Sequence, residues 1–230
     1  MVGGLFLSWR RPSRDQQKAC IAQAGGFNYD PRFHAASSPP PSQNGNKEVE
    51  EALSKNGFFI NRARVLLGSG PLTFRLAKSA LLSWTHFRLG WAFVDSETPI
   101  ETGVKFCVCV KELLPWVMMP LQVAYVTDIF TPRPTPIEAA ASRPIKSCFG
   151  FGGGTLQGHL LVFSPAGEER FSIEWDENDQ IWYETFSFSK PAHFLSVIAY
   201  PYVQLRQKHF AQQSTNAVLK FVASKKQSTT

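Results

Sequence analysis

The sequence lacks an apolar run long enough to cross a membrane as a helix. The apolar residues at the N-terminus, within MVGGLFLSWRRPSR, span about nine positions, whereas a spanning helix needs ~18. The charged residues follow this stretch, whereas those of a secretory signal precede the apolar part. Further along, Pro115 and Pro120 interrupt the apolar residues. Contact with a membrane is therefore expected to be peripheral or to use strands.

Cysteine is scarce, and its spacing fits no metal site. The four cysteines are Cys20, Cys107, Cys109 and Cys148, so no CxxC pair and no zinc-binding pattern occurs. This usage favours reduced thiols in a compartment outside the secretory route. We expect neither a metal nor a cofactor.

The signatures of common enzymes are also missing. The sequence contains no GxSxG, no HExxH and no paired Cys–His signature. Its glycine-rich stretch, CFGFGGGTLQGH at residues 148–159, does not end in the Gly-Lys-Ser/Thr of a phosphate loop, and no strand–helix unit surrounds it. We therefore expect no enzymatic activity and no phosphate site in that stretch.

The charge balance is basic. The chain has 24 Lys and Arg against 18 Asp and Glu, a net charge of +6 and a pI near 9.2. Nucleic acid is not expected as a partner, because no aromatic residues alternate with basic ones in a recognised motif. The expected partner is a membrane surface or an envelope lipid, and a homo-oligomer is left open. Basic residues gather in the C-terminal region at Arg206, Lys208, Lys220, Lys225 and Lys226.

Apolar residues are abundant and periodic. They make up 43% of the chain and include 19 Phe and 6 Trp, enough for a sizeable core. Helical spacing predicts one helix from Leu72 to Phe87 and another from about Tyr202 to Ser224. Alternation in GVKFCVCVKE predicts a half-buried antiparallel strand, and Pro120 in WVMMPLQVAYV indicates an edge or a bulge. Further strands are predicted in GFFINRARVLLGSG, GWAFVD, the glycine-rich stretch, ERFSIEWD and IWYETFSFS.

This order of elements predicts an α+β fold. A curved antiparallel sheet would grip the long C-terminal helix in a single, helix-grip-like domain. Residues 1–50 are predicted to be mostly irregular, residues 51–224 to form the domain, and residues 225–230 to be a basic tail.

The glycines mark the candidate site. Four of them within five positions are unfavourable in an ordinary flat strand, so we expect a bent strand whose backbone passes close to another element. The glycines would be required either for close packing of the strand or for access of a ligand to its backbone. Glu168 and Glu169 form a candidate polar site nearby; with His159 they could ligate a metal or move protons, although a structural hydrogen bond of His159 is favoured. The glycine-strand candidates are Gly150, Gly152, Gly153, Gly154, Thr155, Gly158 and His159.

Three motifs in combination carry a resemblance. Gly-Thr-Leu-x-Gly-His, Gly-Glu-Glu-x-Phe and Phe-Ser-x-Pro occur in GFGGGTLQGH, GEERF and FSKP. Over residues 27–222 the chain resembles a bacterial and plant family that carries a domain of unknown function, and within it the chloroplast outer-envelope proteins. The resemblance implies residence in the plastid outer envelope and cation-channel activity, with no catalytic residues to carry over. We expect no cleaved transit peptide.

The chain departs from the family pattern at two places. Val162–Pro165 is an extra segment between His159 and Glu168, and the loop Phe130–Ser147 is longer than usual. Both are insertions or artefacts of the gene model.

Two classes of function remain beside an enzyme of unknown reaction. A channel built from strands needs apolar bands that close without a free edge, and the sequence offers only six or seven strands. The alternative is a helix-grip protein that binds a lipid or another hydrophobic ligand in a pocket between sheet and terminal helix.

Overall fold

A computed structural model of the chain describes residues 6–38, 43–130, 145–158, 165–191 and 194–228. The helices are α1 (Arg14–Ala22), α2 (Gln43–Lys55), α3 (Gly70–Leu82) and α4 (Phe194–Gln227). The strands are β1 (Leu7–Ser8), β2 (Phe59–Ser69), β3 (Ala92–Phe93), β4 (Lys105–Lys111), β5 (Trp116–Phe130), β6 (Ile145–Thr155), β7 (Pro165–Asp176) and β8 (Gln180–Pro191). Two short 3-10 turns lie at Pro31–Phe33 and Thr85–Phe87.

The eight strands form one antiparallel sheet in the order β2-β8-β7-β6-β5-β4-β3, and β1 pairs with β5. The pairing shifts register within β2 near Gly68, within β5 after Val123 and within β6 after Ile145. Such bulges bend the strands and increase the twist, so the sheet curls. The predicted α+β architecture, a curved antiparallel sheet with a long C-terminal helix, is confirmed.

The main core lies between the concave face of the sheet and the helices α3 and α4. On β7 the residues Phe171 and Ile173 point to this face, as the alternation of the hairpin predicts. From α4, Phe210, Val218 and Val222 pack against the sheet at intervals of four or eight residues. The hydroxyl groups of Tyr183 and Ser214, 2.6 Å apart, add a buried hydrogen bond between β8 and α4.

The helix α4 begins earlier than the sequence pattern predicts. The sequence predicts a start near Tyr202, eight residues after the observed first residue, Phe194. The prediction is late because Pro201, which lies inside the helix, interrupts the apolar periodicity. No helix in the described parts of the chain combines the length and apolar character that a membrane crossing needs.

The convex face of the sheet is covered as well. Cys20 of α1 packs against Cys107 and Cys109 of β4, and all three thiols are buried and free. The Cys107 sulfur lies 3.9 Å from each of the other two sulfurs. The prediction that β4 is only half-buried is therefore wrong, because α1 covers its second face.

The N-terminal segment contains more helix than the sequence pattern indicates. Residues 1–50 are predicted to be mostly irregular, yet α1 lies wholly within them and α2 begins at Gln43. Ser13 caps α1 in a capping box with Gln16. Leu53 of α2 packs on the outer face of the sheet. The 9-residue α1 carries a weak apolar periodicity, which explains why pattern reasoning missed it.

Pro120 lies inside the sheet at a position where its missing N–H costs no hydrogen bond between strands. It pairs with Cys107 of β4, and its carbonyl accepts a hydrogen bond of 3.2 Å from Leu156, just after the end of β6. The N–H and C=O of a residue in an antiparallel strand point to the same side. A backbone N–H at position 120 would therefore point toward Leu156 and away from β4, so the proline removes no hydrogen bond between β4 and β5.

Candidate ligand-binding cavity

A cavity of about 160 Å³ lies between the concave face of the sheet and α4. The predicted pocket at the interface of sheet and terminal helix is therefore present as space. Apolar side chains of β4 and β5, such as Val108, Met119 and Leu121, form its floor. An apolar cavity of about 150 Å³ in another protein holds benzene, so this space suits a ligand body of about one ring, or a larger ligand that projects through its mouth.

Aromatic side chains form one wall of the cavity. The Phe87 ring lies 5.4 Å from that of Phe171 and 4.7 Å from that of Phe210. Trp91 continues the wall, with its ring 6.3 Å from Phe210. We call Phe87, Trp91, Phe171 and Phe210 the aromatic wall; all four line the cavity.

The glycines of β6 serve close packing and do not adopt a left-handed backbone. None of Gly150, Gly152, Gly153 and Gly154 has a positive φ, unlike Gly158 at +108°. A Cβ on Gly150 would lie 2.8 Å from the Phe171 carbonyl oxygen. On Gly152 it would meet the Tyr125 ring, and on Gly154 the Phe27 and Tyr29 side chains. The expected close approach to other elements is therefore present along the strand.

Gly153 packs closely against a neighbouring strand and also lines the cavity. It faces the concave side, where an added Cβ would lie 2.9 Å from Phe106 Cζ. It also pairs directly with Glu169 of β7, and both residues line the cavity. Because paired residues of an antiparallel sheet point to the same face, no side chain of residue 153 stands beside the Glu169 side chain in the cavity.

Glu168 and Glu169 point to opposite faces of the sheet, as neighbours in a strand must. The Glu168 carboxylate accepts hydrogen bonds on the convex face from the Tyr29 hydroxyl at 2.6 Å, the Ala35 amide at 2.6 Å, and the amide and hydroxyl of Ser37 at 3.1 and 2.8 Å. It therefore holds the N-terminal segment against the sheet. The two carboxylates do not form one polar site.

Glu169 is half-buried and lines the cavity. Burial raises the pKa of its carboxyl from 4.5 to about 8. Among the described residues, no hydrogen-bond donor and no charged group partners this carboxyl. A ligand in the cavity would supply this half-buried carboxyl with a partner.

Two other polar groups that line the cavity have partners within the protein. The Thr155 hydroxyl donates to the Gly167 carbonyl at 3.1 Å and accepts from the Gly167 amide at 3.0 Å. The Ser189 hydroxyl bonds to Gln207 of α4 at 3.0 Å. They hold β6, β7, β8 and α4 together around the cavity. Glu169 lines the same cavity with a carboxyl that has no partner among the described residues.

Three residues that sequence reasoning did not connect lie at the rim of the cavity. Arg206 of α4 donates to Glu112 at 3.2 Å and to the Lys111 carbonyl at 3.1 Å, and the Tyr202 hydroxyl also donates to Glu112. The Arg206 guanidinium lies 3.9 Å from the centre of the Trp91 ring. These residues come from segments about 90 positions apart, so no local motif could have indicated the rim.

The three sequence motifs converge on adjacent strands. Gly154 pairs with Glu168, and Gly167 pairs with Ser189, so β6, β7 and β8 carry them side by side. Gly158 lies just after β6, whereas His159 falls outside the described residues, as does Val162–Ser164 of the extra segment. Most of the long loop, residues 131–144, also lies outside them.

Residues 44–217 match a family described as "Domain of unknown function (DUF1990)". The chain belongs to this family. A UPF0548 protein of Arabidopsis thaliana is 55% identical over 218 residues, which cover 95% of this chain and 98% of the relative. A UPF0548 protein of Dictyostelium discoideum is 31% identical over 186 residues, 77% of this chain and 79% of the relative. DUF1990 relatives thus occur in plants and amoebae, and one from Deinococcus radiodurans, 29% identical over 172 residues, adds bacteria.

Two solved structures are similar to this chain at low sequence identity. A hypothetical protein from Helicobacter pylori is 12% identical, with a TM-score of 0.44 over 72% of this chain and 88% of its own. The protein titled Ara h 8.0201 is 9% identical, with a TM-score of 0.44 over 73% of this chain and 99% of its own.

Proposed function

We propose that this protein binds a small, largely apolar ligand, such as a lipid or another hydrophobic molecule, in the cavity between the curved sheet and α4. The observation that carries the proposal is an apolar cavity of about 160 Å³ lined by Glu169, whose carboxyl has no partner in the described parts of the chain. Protein interiors are normally packed without such space, so a retained cavity with one polar group is typical of a binding site. We propose binding without catalysis.

Toluene is a suitable neutral probe because its size matches the cavity. Saturation-transfer NMR should detect toluene bound to the wild-type protein, and toluene should raise the melting temperature. Met119→Trp, which fills the cavity from β5, should abolish both effects. Ile129→Trp is the matched control, since Ile129 lies near the far end of the same strand and is 53% exposed. Binding that survives Met119→Trp, or no binding to the wild type, would contradict the proposal.

A membrane surface is the proposed partner through which the ligand enters. The turn between β4 and β5 carries Leu113 and Leu114, whose exposed fractions are 89% and 73%. Leu113 has a φ of +54°, a conformation that a bulky side chain rarely adopts. Large apolar side chains at such a tip are unfavourable in water, which supports a role in contact with an apolar partner.

The surroundings of this turn favour lipid. Glu112, next to Leu113, bonds to Arg206 at the rim, so the turn lies beside the mouth of the cavity. On the neighbouring β1, Ser8 pairs with Trp116, and the exposed Trp9 and Arg10 follow it. Aromatic, aliphatic and basic side chains together suit the interface of an anionic bilayer.

Vesicle sedimentation tests this partner. The wild-type protein should bind vesicles that contain anionic lipid more strongly than neutral ones, and salt should weaken that binding. Replacing Leu113 and Leu114 together by Asp should reduce binding at least severalfold, whereas Ile129→Asp should not. Equal binding by both variants would contradict this use of the turn.

Residence in the plastid envelope and cation-channel activity stay predictions from the resemblance. Carbonate extraction of envelopes and a flux assay in reconstituted vesicles test them. Release of the protein by carbonate, with no flux, would favour the ligand-binding function over the channel.

A further inference from the structure

We propose that the ligand carries a protonated amine, which pairs with the Glu169 carboxylate while the ligand's apolar body lies against the aromatic wall. The inference rests on the proposed binding function and adds the chemical class of the ligand. Its basis is the combination, in one cavity, of a wall of aromatic rings and a carboxyl that no described residue partners.

The charged groups around the cavity leave Glu169 without a cation. Arg206 lies at the rim, where it bonds to Glu112, and the Glu168 carboxylate is on the convex face. Behind the cavity, the hydroxyl of Tyr183 bonds to Ser214 of α4. Across the described residues, the protein itself therefore offers the Glu169 carboxyl no counter-ion.

The neighbouring titratable group on the α3 side also supplies no charge. His86, in the turn Thr85–Phe87, lies behind Phe171, with 4.5 Å between the ring centres. Burial lowers the pKa of His86 to about 3, so its imidazole is neutral at physiological pH. Among the described residues no cation lies beside Glu169, so a ligand would supply it.

The aromatic wall suits a cation as well. Phe171 follows Glu169 by two residues on the same face of β7, which corresponds to about 7 Å along the strand. Aromatic faces carry negative electrostatic potential and attract ammonium groups, most strongly where water is excluded. A carboxylate and aromatic rings at this spacing would contact the charged end and the carbon framework of one molecule.

Other ligand classes fit less well. A fatty acid or another anion would place its charge in a cavity that contains a carboxyl and no free cation among the described residues. A neutral hydroxyl or carbonyl compound would accept only one hydrogen bond from protonated Glu169 and would gain nothing from the rings beyond apolar contact. A protonated amine uses both features, because it forms an ion pair with the half-buried acid and contacts the rings.

Benzylamine, benzyl alcohol and benzoate provide a matched test, because they share one ring and differ in charge. Isothermal titration calorimetry at pH 7 should give benzylamine a Kd roughly tenfold lower than that of benzyl alcohol, with benzoate the weakest of the three. Glu169→Gln should abolish the preference for the amine and leave benzyl alcohol binding nearly unchanged. Glu177→Gln, in the exposed turn after β7, is the control and should keep the preference.

Proton release gives a second readout on the unmodified protein. Because the pKa of Glu169 is raised to about 8, the carboxyl is mostly protonated in the empty cavity at pH 7. Pairing with an ammonium group requires it to ionise, so benzylamine binding should release most of one proton. Titrations in buffers of different ionisation enthalpy measure this release, which benzyl alcohol should not cause.

The outcomes separate the two proposals. If benzyl alcohol binds as tightly as benzylamine, or if the amine preference persists in Glu169→Gln, the inference about the amine is wrong and the binding function stands. If neither toluene nor any of the three ring compounds binds, the proposed function is wrong, and the inference fails with it.

Discussion

Glu169 and His86 carry titratable side chains without hydrogen-bond partners among the described residues. Glu169 faces the cavity, and His86 is fully buried among aromatic rings with both ring nitrogens unpaired. Burial disfavours the charged form of each, which raises the pKa of the acid and lowers that of the base. Their effects on stability therefore have opposite dependences on pH.

Glu169→Gln is expected to stabilise the ligand-free protein at pH 8 but not below pH 4.5. Between pH 4.5 and about 8 the folded state holds a proton on Glu169 that the unfolded state has lost. The free energy of unfolding of the wild type therefore falls as the pH rises through this range, and the variant escapes that loss. Urea unfolding should show a gain on the order of 2–4 kcal/mol at pH 8, and the control Glu177→Gln should show none.

His86→Phe is expected to stabilise the protein most at acidic pH. The ring of His86 stacks with Trp84 at 5.6 Å and lies 4.5 Å from Phe171, so a phenyl ring replaces it in an apolar setting. As the pH falls from 6.5 to about 3, the unfolded state takes up a proton that folded His86 does not accept. Thermal melting at pH 7 and pH 5 should show a gain of ~1–2 kcal/mol that increases on acidification. A variant less stable than the wild type at both pH values would indicate a partner for His86.

At the scale of a single element, β6 is built from glycine because its neighbours come too close for side chains. Gly150 pairs with Ser172 of β7, and an added Cβ would lie 2.9 Å from the Ser172 Cβ and 2.8 Å from the Phe171 carbonyl oxygen. The carbonyl belongs to a paired strand and cannot move without distorting the sheet. The glycines therefore allow the sheet to curl tightly enough to enclose a cavity.

Gly150→Ala is expected to lower the free energy of unfolding by ~2–3 kcal/mol, because the methyl group overpacks against backbone. Gly26→Ala is the matched control, since nothing lies within 4 Å of an added Cβ there and its φ is not positive. Chemical unfolding of both variants measures the difference. Equal stabilities would mean that β6 has room for side chains, contrary to the close contacts described here.

The whole molecule is a sheet covered on both faces. α3 and α4 cover the concave face, and α1, α2 and the chain around residues 27–37 cover the convex face. The convex layer is polar at its centre, where Arg170 pairs with Glu184 and donates to the Ser37 carbonyl at 2.9 Å. Glu168 of β7 bonds to this convex layer, and the next residue of the strand, Glu169, lines the cavity on the other face.

Glu168→Ala should weaken the attachment of residues 25–38 to the convex face of the sheet and leave the volume of the cavity unchanged. It removes the acceptor of four hydrogen bonds, two of them from backbone amides, and leaves the donors unsatisfied until the segment opens. We expect a loss of ~2–4 kcal/mol and faster proteolysis within residues 25–38. Glu177→Ala is the control. Unchanged proteolysis would mean that apolar contacts alone hold the segment.

Local sequence patterns predicted the elements whose signal is carried by neighbouring residues. The hairpin of β7 and β8, with Phe171, Ile173 and Trp175 on one face, follows from alternation and the turn ENDQ between them. The helix α3 and the strand before it follow from periodicity and from Gly70 and Pro71 at their junction. The sequence also indicates Glu168 and Glu169 as candidates, but it does not show that they serve opposite faces of the sheet.

The cavity, its rim and the covered convex face depend on contacts between residues far apart in the chain. Nothing near β4 indicates that α1, more than 80 positions earlier, buries Cys107 and Cys109. Likewise, Glu112 and Arg206 meet only because α4 crosses the open end of the sheet. Alternation and periodicity report which face of an element is apolar, whereas the curvature of the sheet and the docking of α4 establish whether apolar faces meet in a solid core or leave space. Here they leave space at Gly153 and Glu169, and that space is the candidate site.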